Sequence, residues 1–138
     1  MLDEMVVNVQ PDSSICVDES IEYDFGSYLR AVRQARKISV RQLAKAVGKT
    51  PTYLSDIEQR NNKPPEKALL DMIIQELDLD EYPRVRTKLY DLAAIERNDV
   101  PADIKEYIIK NRYLIELIRN TKDKPNSDLI WKQFSQNI

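Results

Sequence analysis

The chain has no histidine, one cysteine and only two glycines in 138 residues. Each shortage excludes a class of chemistry. Without histidine the commonest general base is missing. With a single cysteine besides, the usual zinc ligand sets cannot be assembled. Gly26 and Gly48 stand apart, so no glycine-rich loop cradles a phosphate. The inventory therefore points away from an enzyme, with no catalytic residue, no metal and no cofactor expected. Cys16 has no internal disulfide partner, and a buried structural thiol is favoured over a reactive one. No apolar run approaches the ~20 residues of a membrane span. The first residues lack the basic start and apolar core of a signal peptide. These features predict a cytoplasmic protein.

What is present is charge, unevenly spread. Charged residues make up 32% and hydrophobic residues 42%, enough for a packed core, yet the net charge is only −2. Residues 1–25 hold seven acidic residues and no basic one. Residues 26–63 hold nine basic residues against Asp56 and Glu58, a block of +7. Residues 64–138 return to −2. A basic block inside an acidic chain is the electrostatic footprint of a nucleic-acid module. A solvated helical surface is the plainer alternative.

Local patterns divide the chain into an acidic arm, 1–24, and a helical remainder. In the arm, Met5–Val9 and Ile15–Val17 are β-prone, with turn-forming Pro11–Ser14 between them. A short hairpin and a flexible tail are equal alternatives. Helical spacing begins at Phe25, Leu29 and Val32 and runs to about Lys37. Ser39 with Gln42 makes a capping-box pattern for a second helix, Val40 to Val47, burying Leu43, Ala44 and Val47. Gly48 closes it where positive φ is cheap. Thr50 caps a third helix with Pro51 in its first turn, running to about Arg60. Pro65 opens a fourth, with Leu69, Leu70, Ile73, Ile74 and Leu77 inside. Further helices are expected from Pro83 to Glu96, from Pro101 onward, through Leu114–Ile118, and after Ser127 as a cap.

Two short helices joined by a tight turn with glycine form a helix-turn-helix. The second helix of such a pair enters the major groove. On a wheel of about 100° per residue, Leu54, Ile57 and Glu58 share one face of the third helix. Thr52, Asp56 and Gln59 share the other, flanked by Tyr53, Ser55 and Arg60. The first face packs and the second is wet, with groups able to address base edges or phosphates.

The stretch FGSYLRAVRQARKISVRQLAKAVGKTPTYLSDIEQR, followed by NKPPEKALLDMIIQEL, resembles the DNA-binding domain of Cro- and phage-repressor-like regulators, the XRE family. The likeness covers Phe25 to Leu79. It implies an all-α, five-helix Cro/lambda-repressor-like domain over 25–80, with a helical extension over 81–138 for packing or dimerisation. Leu89 to Ile108 resembles an extension of one subgroup, with no function attached. The resemblance implies a sequence-specific regulator, a repressor in the first reading, that binds an inverted repeat of double-stranded DNA as a homodimer. Thr50, Pro51, Thr52, Tyr53, Ser55, Asp56 and Gln59 fall on base-reading positions. Ser39, Arg41, Lys49, Arg60, Asn61, Asn62 and Lys63 fall on phosphate positions. Arg33 and Glu58 match a structural ion pair of the family.

Two departures stand out. Where the family often has glycine to end the recognition helix, this chain has Arg60, so Asn61 or Asn62 is expected to supply the left-handed residue. Asp56 puts a carboxylate on the reading face. It would accept from cytosine N4, orient Arg60, or simply lower non-specific affinity. Val40 cannot make the polar backbone contact seen in relatives. The acidic arm is read as a solvated tail in preference to a shield over the basic block. The apolar stripes of the second half are read as internal core in preference to an interface. Two other functions remain open. One is an antitoxin-type autoregulator that neutralises a protein partner, which exposed apolar surface in the arm or the last 40 residues would favour. The other is an adaptor that has lost DNA binding.

Overall fold

Asp24 starts the first helix. Its carboxylate accepts from the Ser27 N–H at 2.8 Å while Ser27 Oγ accepts from the Asp24 N–H at 3.1 Å, so the first orphan donors are satisfied reciprocally. The computed structural model describes Ile15 and residues 17–138. The hairpin expected in the arm and the burial expected for Cys16 lie outside these residues. The described residues form eight helices and no strand: α1 Phe25–Ala35, α2 Val40–Ala46, α3 Pro51–Glu58, α4 Lys67–Glu76, α5 Pro83–Arg97, α6 Ala102–Lys110, α7 Tyr113–Lys122 and α8 Ser127–Ser135. None of them is long and apolar enough to cross a membrane. The chain divides into two compact units, the first ending at Ala102 and the second running Asp103–Ile138.

The first unit is built around α1. Phe25, Leu29 and Val32 are fully buried and Tyr28 nearly so. α1 packs on α3 and α5, and α2 packs on α3 and α4. Leu43, Leu54, Ile57, Leu70, Ile73, Leu77, Leu79 and Leu89 fill the same core. Four helices lie between residues 25 and 80, and the fifth of this unit is α5, which buries Val85, Leu89, Ala93 and Ala94. Tyr23 stacks edge-on against Tyr28 at 5.1 Å, and Lys88 Nζ lies 4.8 Å from the Tyr28 ring centre. Burial pushes the Tyr23 phenol above its usual range, helped by Asp18 and Glu19 and opposed by Lys88.

All five helices of this unit end alike. Beyond each, a left-handed residue turns the chain and two backbone N–H groups return to the last carbonyls. After α2 this residue is Gly48, at φ 73°, and the N–H groups of Lys49 and Gly48 reach Ala44 O and Lys45 O at 2.8 and 3.3 Å. Elsewhere the left-handed residues are Lys37, Arg60, Asp78 and Asn98. Two glycines thus suffice for a bundle of short helices, at some steric cost at each non-glycine turn.

Three element starts differ from the sequence reading. α4 begins at Lys67 with Glu66 as its cap, not at Pro65, because Pro64 and Pro65 are buried in the preceding connection. α6 begins at Ala102, so Pro101 precedes it. Asn126, not Ser127, occupies the cap position of α8 and makes no side-chain cap bond.

The second unit has a different interior. The stripes of α6, α7 and α8 were expected as core, yet none of these helices buries an apolar residue. Ile104, Tyr107, Leu117, Ile118, Leu129 and Phe134 are all exposed. The buried side chain here is Thr121, whose hydroxyl donates to Leu117 O at 2.7 Å. With helices this short and few, burying one stripe within the unit leaves too little surface to cover the others.

Candidate nucleic-acid interface

The two helices of the motif are set by local chemistry and locked by one ion pair. Ser39 Oγ accepts from the Gln42 N–H at 3.0 Å, and Gln42 Oε1 accepts from the Ser39 N–H at 2.8 Å. Thr50 Oγ1 accepts from the Tyr53 N–H at 3.1 Å, and Pro51 takes the first position of α3, where its missing donor costs nothing. Arg33 reaches across from α1. Its Nε and Nη2 donate to Glu58 Oε2 and Oε1 at 2.7 and 2.9 Å, and its Nη1 donates to Ile38 O at 2.9 Å. One guanidinium thus ties α1, the entry to α2 and the end of α3. Both side chains are buried. The planar fork matches the carboxylate, so the pair fixes orientation more than it adds stability.

Gly26 sets how closely α1 approaches this helix. A Cβ on Gly26 would sit 2.3 Å from Ile57 O and 2.7 Å from Glu58 O. The backbone of α1 therefore lies directly against the last carbonyls of α3, and only glycine fits. Pattern reading missed this role, because close approach of two backbones leaves no periodic signal.

Leu54, Ile57 and Glu58 are buried and hold the inner side of α3. Thr50, Pro51, Thr52 and Gln59 are exposed, and Tyr53, Ser55 and Asp56 are half-buried. Gln59 Nε2 donates to Ser55 Oγ at 3.1 Å, which ties two of the outward groups together. Lys49 Nζ lies over the Tyr53 ring at 5.2 Å, placing a cation beside the start of α3. Ser39, Arg41, Lys49, Asn61, Asn62 and Lys63 are all exposed. Among the described residues, Arg41, Lys45, Lys49 and Lys63 make no ion pair with a carboxylate.

Arg60 behaves differently from the sequence expectation in two respects. It is itself the left-handed residue, at φ 64°, so neither asparagine takes that part. The N–H groups of Arg60 and Asn61 close the helix on Ile57 O and Asp56 O at 3.2 and 2.8 Å. Its guanidinium turns to Asp24, 3.6 Å away, and not to Asp56. The left-handed turn redirects the chain, so the i+4 geometry that would join Asp56 to Arg60 is lost. Within the described part of the acidic arm, Asp24 touches the basic block in this way, and Glu19 pairs with Lys88 of α5 at 2.9 Å.

The loop after α3 is held from α5. Arg97 Nη2 donates to Pro64 O, and its Nη1 lies 3.5 Å from Glu66. Glu96 Oε2 accepts from the Phe25 N–H at 2.8 Å. Glu96 also joins Arg60, Asn61, Asn62, Lys63 and Pro64 in lining a shallow open cleft. These two residues were missed in the sequence because they lie more than 30 positions from the loop they position.

The arrangement is a rigid short helix with a polar outer face, edged by exposed cations. Residues 24–75 match the model of a family described as a helix-turn-helix domain. No curated protein and no solved structure matches the chain. With α2, the turn at Gly48 and α3 inside the matched span, residues 24–75 are a helix-turn-helix DNA-binding domain of the XRE, Cro-like type.

Proposed function

We propose that this chain is a cytoplasmic transcriptional repressor that binds an inverted-repeat operator as a homodimer, with α3 in the major groove. The supporting observation is the outer face of α3. Thr52, Ser55, Asp56 and Gln59 line it, while the buried Arg33–Glu58 pair and Gly26 hold the helix from behind. In this reading Thr50, Pro51, Thr52, Tyr53, Ser55, Asp56 and Gln59 address bases. Ser39, Arg41, Lys49, Arg60, Asn61, Asn62 and Lys63 address phosphates. Arg60 would exchange Asp24 for a phosphate on binding, which makes Asp24 a brake on affinity at non-specific sites.

The test is selection of bound duplexes from a random library at moderate salt. An inverted repeat is the expected product. Thr52→Ala and Asp56→Ala should then change the selected bases. Arg41→Ala should weaken all sites alike and lower the salt slope by about 1. Recovery of no motif by folded protein would sink the operator reading.

A second reading has its own support. The last 40 residues carry exposed apolar side chains, the feature that favours an autoregulator which also neutralises a protein partner. Co-expression with the neighbouring gene product and recovery of a stable complex would establish it.

A further inference from the structure

We propose that Arg97, at the end of α5, is a positioning residue for DNA binding: its guanidinium presets the loop after α3 to receive a phosphate. This rests on the reading of Asn61, Asn62 and Lys63 as phosphate contacts and adds the residue that shapes their loop.

The loop has little of its own to hold it. The Asn61 N–H closes α3 on Asp56 O at 2.8 Å, and the next backbone bond along the chain runs from the Leu70 N–H to Glu66 O at 2.9 Å. Between them, no backbone group of Asn62, Lys63, Pro64 or Pro65 bonds another backbone group among the described residues. Pro64 and Pro65 have no N–H to donate. The Lys63 N–H reaches only the neighbouring Asn62 Oδ1, at 2.9 Å. Anything that fixes this stretch from outside must therefore be a side-chain donor on its carbonyls. Both prolines are buried, and a buried carbonyl needs such a donor. Arg97 supplies it. Its Nη2 donates to Pro64 O, and its Nη1 lies 3.5 Å from Glu66 Oε2. One planar fork thus touches the chain on both sides of Pro65, which fixes orientation as well as position.

The anchor is itself held. Just beyond Arg97 the left-handed Asn98 closes α5, and the N–H groups of Asn98 and Asp99 return to Ile95 O and Ala94 O at 3.2 and 3.0 Å. Glu96 ties the same turn to α1 through the Phe25 N–H. Arg97 Nε is buried and has no hydrogen-bond partner among the described residues. A donor left so is a cost against stability, and presetting a phosphate site gives the arrangement a use.

The ligand chemistry follows from what the loop presents. Asn61, Asn62 and Lys63 are exposed, and with Arg60 they line the open cleft beside Glu96 and Pro64. Amides and cations of this kind suit the backbone of a duplex, whose phosphates position a protein without carrying sequence. A loop already in place need not be ordered when the phosphate arrives. Ordering the backbone of a single residue on binding takes about a factor of ten from affinity.

The experiment measures binding of the full chain and its variants to labelled random duplexes, before and after selection, by fluorescence anisotropy. Arg97→Gln should bind both pools about tenfold more weakly, with the selected bases unchanged. The amide order parameters of Asn62 and Lys63 should fall from about 0.85 to below about 0.6, while those of α3 stay as they were. Arg97→Lys keeps the charge, loses the fork, and should recover only part of the loss. It also covers the case in which the glutamine variant does not fold. Arg119→Gln removes the same charge from the second unit, where it pairs with Glu116, and should bind as the wild type does. Wild-type affinity in Arg97→Gln overturns the proposal. Full affinity in Arg97→Lys also overturns it and makes Arg97 a direct phosphate contact. A weakened Arg97→Gln whose loop stays ordered does the same to the positioning role. Each of these sinks the proposal alone, whereas a wild type that binds neither pool sinks the DNA reading and this proposal with it.

Discussion

The two units of this chain use similar helices in opposite ways. α1 to α5 bury nearly every large apolar side chain on their stripes, while α6 to α8 bury none. α4 and α7 have the same length, ten residues each, and both are amphipathic. What separates them is company: the five helices of the first unit close a core, and three short ones do not. Amphipathicity records that a face must be covered and says nothing of what covers it.

That contrast can be broken most severely at the buried ion pair. Glu58→Ala should cost about 3–5 kcal/mol by leaving Arg33 charged and uncompensated, read as a lower denaturant midpoint in urea. Replacing both partners with Met should recover much of the loss. The next largest effect sharpens the comparison directly. Leu29→Ala, in the filled core, should cost about 2–5 kcal/mol. Leu117→Ala should change the unfolding of the first unit by no more than about 0.5 kcal/mol. Equal losses from the two would mean that the second unit has a core after all.

Gly26→Ala should cost about 1–3 kcal/mol, because its methyl meets two backbone carbonyls that cannot rotate away. It should also shift α3 and weaken DNA binding beyond the stability loss, measured at a temperature where both proteins are folded. The smallest change has the opposite sign. Lys37→Gly should stabilise by about 0.5–1 kcal/mol, the relief of a left-handed lysine less the entropy of glycine, visible as a raised thermal midpoint. No gain would mean that the lysine turn carries little strain.

The local part of this protein was legible in the residues alone. Ser39 with Gln42, Thr50 with Pro51, and Gly48 fix helix ends through atoms within four positions, so their geometry follows from spacing. The Arg33–Glu58 pair was reachable through the family likeness, and it stands bidentate in the structure. The helix end at Arg60 was not legible. A non-glycine residue adopts φ 64° there because two backbone hydrogen bonds and the packing of α3 outweigh its steric preference.

The sequence by itself determined where α1, α2, α3 and α5 start, which face of each helix is apolar, and which short pair forms the helix-turn-helix, since all of these depend on neighbours along the chain. The tertiary structure decided that Gly26 lies against the end of α3, that Arg60 turns to Asp24, and that Arg97 holds the loop at Pro64. It also decided which apolar stripes are filled and which stand open. Those outcomes depend on which surfaces meet across tens of residues, and periodicity carries no information about that.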